Sequence, residues 1–229
     1  MLELSDQSGK VGDLLIQAFA TLVGALAAFG LEALRKNKEK QREQVQQMKA
    51  GVFTLVSQRT FLVNMLSQHL EPLRENPGRH FLLRPTWHAA PTDALDVQAL
   101  GFLLSKGDPD LLNRLVITEA KYKTFLTVLE RRNATHIRFQ ERLEVSANST
   151  GASSASFSDL ARIAGPRASS ELRESTNSLF ELVEDAIDSN RKACDGLSDA
   201  VKTLYPKEKM FTVRDLPPSN EHVARKDSP

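Results

Sequence analysis

Near the start of the chain lies a run that decides where everything after it can sit. Leu14 to Leu31 read LLIQAFATLVGALAAFGL, eighteen residues without a formal charge, and Gln17 is the one strongly polar side chain among them. As a helix rising about 1.5 Å per residue the run is about 27 Å long, close to the roughly 30 Å hydrocarbon core of a bilayer. Helical ends reaching to Val11 and Leu34 make up the difference. No polar face interrupts the run, so the pattern predicts a transmembrane helix over residues 11–34 rather than a half-buried helix of a globular core.

A cleaved signal peptide is the competing reading, because Ala25-Leu26-Ala27 has the small-x-small form of a cleavage site. Such a peptide starts with a positive segment, whereas here Glu3, Asp6 and Asp13 stand against Lys10. Beyond the run come Arg35, Lys36, Lys38, Lys40 and Arg42. A cation cluster of this kind resists translocation and contacts anionic headgroups, each charge being worth about 1 kcal/mol near the surface. The expectation is a single span in the inner (plasma) membrane. Residues 1–10 lie outside, 35–50 form a basic juxtamembrane stalk, and the remainder is cytoplasmic. Within the span Gln17, Ala20, Gly24 and Ala28 fall near one face. Small residues at this spacing let two helix backbones approach, so a homo-oligomer is expected, with Gln17 bonding across its interface.

The rest of the chain reads as helical, with no strand pattern. Residues 32–47 are rich in strong helix formers. Val52, Leu55, Val56, Leu62, Met65, Leu66, Leu70 and Leu73 then recur at helical spacing, with Gly51 a candidate bend before them. Pro77, Pro85 and Pro91 make residues 75–92 irregular, and Trp87 anchors that loop, with His80 and His88 nearby. A short helix is expected over 93–106, ended by Gly107. Asp108-Pro109 opens another that runs to about Val145, with a stripe at Leu112, Leu115, Glu119, Tyr122, Leu126, Leu129, Asn133, His136, Gln140 and Leu143. Residues 146–158 hold six serines and no charge and read as a flexible linker. The last helix spans about 170–205, with a seam at Leu172, Thr176, Leu179, Val183, Ala186, Asn190, Ala193, Leu197, Ala200 and Leu204. The tail from 206 to 229 is charged and reads as disordered. The fold class is thus all-α: one N-terminal transmembrane helix, then a cytosolic antiparallel helical bundle over 51–205.

Little here speaks for chemistry. A net charge of +1 and 6% aromatics argue against an electrostatic nucleic-acid binder. The single cysteine, Cys194, excludes an internal disulfide and a cysteine-rich zinc site and reads as a small buried hydrophobe. There is no phosphate-binding glycine loop, no nucleophile elbow and no zinc-protease motif. No metal site and no cofactor are expected.

One constellation carries a possible reaction. Arg131-Arg132-Asn133-Ala134-Thr135-His136 places an arginine five residues before a histidine. This resembles the Arg-x4-6-His signature of HEPN-type ribonucleases, small all-α proteins that dimerise to pair two such motifs. The resemblance covers these six residues. It implies metal-independent RNA cleavage, with His136 transferring a proton and Arg131 or Arg132 holding phosphate. The other reading of the same residues is a polar layer in a helix seam, where Asn133, His136 and Gln140 bond to Asn190 or Thr176 and fix register. Two functions follow: a membrane-anchored, oligomeric scaffold, sensor or effector that binds a cytosolic protein partner, and alternatively a membrane-tethered ribonuclease.

Overall fold

The computed structural model describes residues 3–86, 94–106, 108–150 and 156–208, with side chains at 19, 21–86, 94–106, 108–148 and 156–208. Every regular element in those residues is a helix. The chain divides into two units, Met1–Gln46 and Gln47–Pro229.

The first unit is the leading part of helix α1 (Glu3–Met65). Its residues 21–43 are all solvent-exposed. Among the described residues no helix is long and apolar enough to cross a membrane. Part of the uncharged run, including Gln17 and Ala20, lies outside the residues whose side chains are described. Gly24 and Ala28 are exposed, and a methyl group on Gly24 meets nothing within 4 Å.

The second unit is a helical bundle. Its main elements are the end of α1, α4 (Pro109–Thr150) and α6 (Pro166–Leu204), with the shorter α2 (Arg79–Leu82), α3 (Phe102–Ser105) and α5 (Phe157–Ala164) between them. α4 and α6 pack against each other along much of their length. They are antiparallel: Thr118 meets Ser189, Lys121 meets Asp185 and Arg132 meets Thr176. The end of α1 differs from the antiparallel expectation. Gln58 meets Glu119, and Phe61 lies against Tyr122 and Phe125, so here α1 runs in the same direction as α4. Beyond α1 the described residues come back along α4: Leu83 lies at Arg132 and Leu95 at Glu119, nearer the start of that helix.

Several boundaries differ from the expectations, each for a local reason. Gly51 does not bend α1. It is buried where Leu95, Leu100 and Leu197 converge, and a methyl group there would lie 3.3–3.4 Å from their tips, so this glycine serves close approach. Before Pro72, whose ring cannot follow the Gln68 carbonyl, the helix widens into one π-type turn (Leu66–Leu70) and then tightens (Glu71–Leu73). The helix expected over 93–106 shrinks to α3. The Asp96 carboxylate takes the Ala99 amide at 3.0 Å and sets a turn instead, and Gly101 weakens the stretch by about 1 kcal/mol. Leu95, Leu100 and Leu103 are buried nonetheless.

Asp108 caps α4 as expected, accepting from the Leu111 amide at 3.0 Å. α4 continues through the first part of the expected linker, because the first breaker after Val145 is Gly151. Ser156, read as linker, is an N-cap: it exchanges side-chain and backbone bonds with Asp159 in a capping box that starts α5. α6 begins four residues earlier than expected, with Pro166 in its first turn after Gly165, the one residue at positive φ (81°) among those described. Of the expected tail, Glu208 pairs with Lys49 at 3.2 Å. Trp87, His88, Gly107 and residues 209–229 lie outside the described residues.

The core has more than one centre. Leu62, Met65, Tyr122, Phe125, Leu179 and Val183 gather in one cluster, and Phe81, Phe139, Ala164 and Leu172 in another. Each leucine, valine, methionine or phenylalanine among them contributes about 1.5–3 kcal/mol by leaving water. Between the apolar layers lie polar ties. Thr118 and Ser189 share a hydroxyl–hydroxyl bond of 2.8 Å, and the buried Glu119 carboxylate accepts from Gln58 (2.9 Å) and the Leu95 amide (3.2 Å). Cys194 is buried, and that burial pushes its thiol up to about 11.

Candidate functional site

The arginine–histidine constellation on α4 is split between surface and core. Arg131 faces out: its Nε donates to Glu171 Oε1 of α6 at 2.8 Å, and 71% of its side chain is exposed. That arginine holds the Glu171 carboxyl below the usual range. Arg132 and His136 face inward, with residue exposures of 0% and 2%.

These inward groups stitch a chain segment to the bundle. Arg132 donates to the backbone carbonyls of Leu83 and, at 3.4 Å, His80, and it approaches Thr176 Oγ1 at 3.4 Å. Asn133 donates to the Thr86 carbonyl at 3.1 Å. The His136 ring meets Phe139 edge-on, and its Nε2 lies 2.9 Å from the Phe81 carbonyl, which can only accept. The ring therefore carries its proton on Nε2. Burial pulls the Arg132 guanidinium down to about 10, still cationic at neutral pH. A buried cation without compensation costs several kcal/mol; here the His80 and Leu83 carbonyls supply the opposing dipoles.

The three residues of the alternative, ribonuclease-like reading are thus divided, Arg131 on the surface and Arg132 and His136 in the core. Proton transfer to a substrate needs a histidine within hydrogen-bond reach of it, and His136 is sealed with its donor committed to backbone. The polar layer is present with mostly different partners from those expected: Thr176 is approached, but by Arg132. Its side chains tie down residues 80–86 rather than reaching Asn190, whose amide donates to its own helix at the Ala186 carbonyl (3.3 Å).

The same segment is fastened from its other side. Arg74 pairs with Glu184 at 2.5 Å and Arg79 bonds to Asn177 at 2.9 Å. Both guanidinium groups lie over the Phe180 ring, at 5.2 and 4.8 Å from its centroid.

One turn beyond His136 the structure opens. A cavity of about 460 Å³ lies between α4 and the α5–α6 junction, lined by Thr135, Arg138, Phe139, Arg142, Ala164, Gly165, Pro166, Arg167, Ala168 and Glu171. Arg138, Arg142 and Arg167 are all exposed, so solvent reaches it. Arg142 is fixed at the wall by donating to the Ala164 carbonyl at the end of α5 (2.7 Å). Sequence reasoning missed this site. Its signal was the spacing of Arg131, Thr135, Arg138 and Arg142, which puts three arginines along one face of α4.

The expected headgroup residues Arg35, Lys36, Lys38, Lys40 and Arg42 are all exposed. Arg35 and Lys36 make pairs within their own helix with Glu39 (2.9 Å) and Glu32 (2.7 Å); such exposed pairs are worth only a few tenths of a kcal/mol and break readily. Among the described residues no group of three or more His, Cys, Asp or Glu side chains is arranged to hold a metal ion. No family model, no curated protein and no solved structure matches the chain.

Proposed function

We propose that the chain is a single-pass, membrane-anchored helical protein of the inner membrane. In this reading its N-terminus faces out, and its bundle works in the cytoplasm as an oligomeric scaffold or sensor for a protein partner. One observation carries the proposal: Phe19, Leu22, Val23, Leu26, Phe29, Leu31 and Leu34 are each 48–69% exposed. They are spread round the helix, and only alanine and glycine separate them between Val23 and Leu31. At that exposure the seven side chains together forfeit about 6–13 kcal/mol, taking about 1.5–3 kcal/mol for each when fully buried. That rivals the entire stability of a domain, about 5–15 kcal/mol. Lipid removes the penalty, and the cation cluster at 35–42 then sits at the headgroups of the cytoplasmic leaflet.

Gln17, Ala20, Gly24 and Ala28 are the proposed contact between copies. Two measurements test the reading. The full chain should stay in the membrane pellet after alkaline carbonate extraction; release into the supernatant refutes the anchor. In-membrane crosslinking should trap oligomers that Gly24→Leu weakens, and a monomer indifferent to that change refutes the contact.

A further inference from the structure

The cavity beside the α5–α6 junction gathers more positive charge than the protein neutralises, one carboxylate (Glu171, which also feels Arg138) standing against three lining arginines. Arg138, Arg142 and Arg167 line it, and Glu171, the single acid among its described lining residues, is already paired with Arg131. Arg142 spends one donor on the Ala164 carbonyl and Arg138 Nε a weak one on the Ala134 carbonyl at 3.3 Å. Among the described residues Arg167 makes no ion pair.

A second source of positive potential points the same way. α6 is 39 residues long and starts at Pro166, with no side chain capping its N-terminus. Its N-cap is Gly165, which has no side chain to offer, and Pro166 has no amide hydrogen. The Arg167 and Ala168 amides are the first free donors of the helix, and both residues form the cavity wall. Arginine forks and helix-start amides are complementary to the several oxygens of one tetrahedral oxyanion.

The volume restricts the ligand further. About 460 Å³ exceeds what inorganic phosphate fills and falls within the roughly 300–1,000 Å³ of small-molecule sites. Phe139, Pro166 and Ala168 supply an apolar wall for an organic body.

We propose that this cavity binds a small phosphate monoester. The phosphoryl group sits among Arg138, Arg142, Arg167 and the first amides of α6, and the carbon skeleton lies against Phe139. A free metabolite and the exposed phosphate of a phosphatidic-acid headgroup share this chemistry.

The test is isothermal titration of the full chain in nonionic detergent with glycerol 3-phosphate, with soluble dihexanoyl phosphatidic acid and with glycerol. Saturable binding of a phosphate ester and none of glycerol is expected. Arg138→Gln and Arg167→Gln should each weaken binding at least about tenfold. Both side chains are exposed, so the thermal midpoint should stay within a degree or two and separate lost recognition from lost folding. Binding of glycerol 3-phosphate identifies a free ester as sufficient; binding of the lipid form alone identifies the headgroup. Failure of both esters to bind overturns the proposal. So does a double Arg138→Gln/Arg167→Gln variant that binds as tightly as the parent.

Discussion

Acidification from pH 7.5 to 5 should loosen the bundle through two imidazoles. His80 and His136 are 8% and 2% exposed. Burial is the main force holding both below the ordinary histidine range. Arg173, Arg132 and Arg79 add to it at His80, and Arg132 at His136, where the bond to the Phe81 carbonyl pulls the other way. The unfolded chain therefore takes up protons that the folded one refuses. Stability is whole above the unfolded histidine value near 6.5. It declines as pH falls below that value and levels off only beneath the folded ones. One such proton is worth at most about 1.4 kcal/mol per pH unit. By pH 5 the ceiling is about 2 kcal/mol for each histidine, or about 4 kcal/mol for the pair. The carboxyls held low by cationic partners, such as Glu171 beside Arg131, act at lower pH, outside this window. Urea unfolding followed by circular dichroism at 222 nm, in nonionic detergent at several pH values, measures the effect. His136→Gln keeps a side-chain donor for the Phe81 carbonyl but cannot titrate, so it should remove part of the loss. A stability that is flat or rises on acidification refutes the reasoning, as does a pH slope unchanged in a His80→Asn/His136→Gln double variant.

Two substitutions probe the packing. Phe125 is fully buried and edge-on to Phe61 at 6.4 Å. Phe125→Ala should cost about 3–5 kcal/mol and lower the calorimetric midpoint by roughly 6–20 °C. Gly51→Ala recovers about 1 kcal/mol of helix propensity against a slight give of three leucine methyls. It should unfold within about 1 kcal/mol of the parent, while Gly51→Leu overfills the same space and should lose about 1–3 kcal/mol in urea titrations.

What the residue pattern revealed depended on how far each signal acts. The main seam of α6 was legible: nine of its ten expected positions, Leu172 through Ala200, are buried, although Ser175, Phe180, Ser189, Cys194 and Val201 beside it are buried too. Small and apolar residues recur there without competition. Asp108 was legible because a cap is a contact within four residues. The face of α4 was only half legible. Leu111, Thr118, Phe125, Arg132, Thr135 and Phe139 are also buried, because α4 is covered on two sides, by the end of α1 and by α6. An arginine and two threonines in that second stripe disguised it. The buried ends of Arg132 and His136 answer backbone carbonyls some fifty positions away, which no local pattern encodes. The open cavity is hidden for the same reason: α4 supplies one wall and the α5–α6 junction the other.

The setting of Cys194 has a practical corollary. The thiolate is the nucleophile that attacks alkylating reagents, and a thiol buried in the bundle and pushed up to about 11 offers almost none at neutral pH. A reporter cysteine engineered onto the surface, at Glu174 for example, can be labelled alone in the native protein with the natural one left in place. Fluorescent or spin probes can then be attached without first constructing a cysteine-free parent.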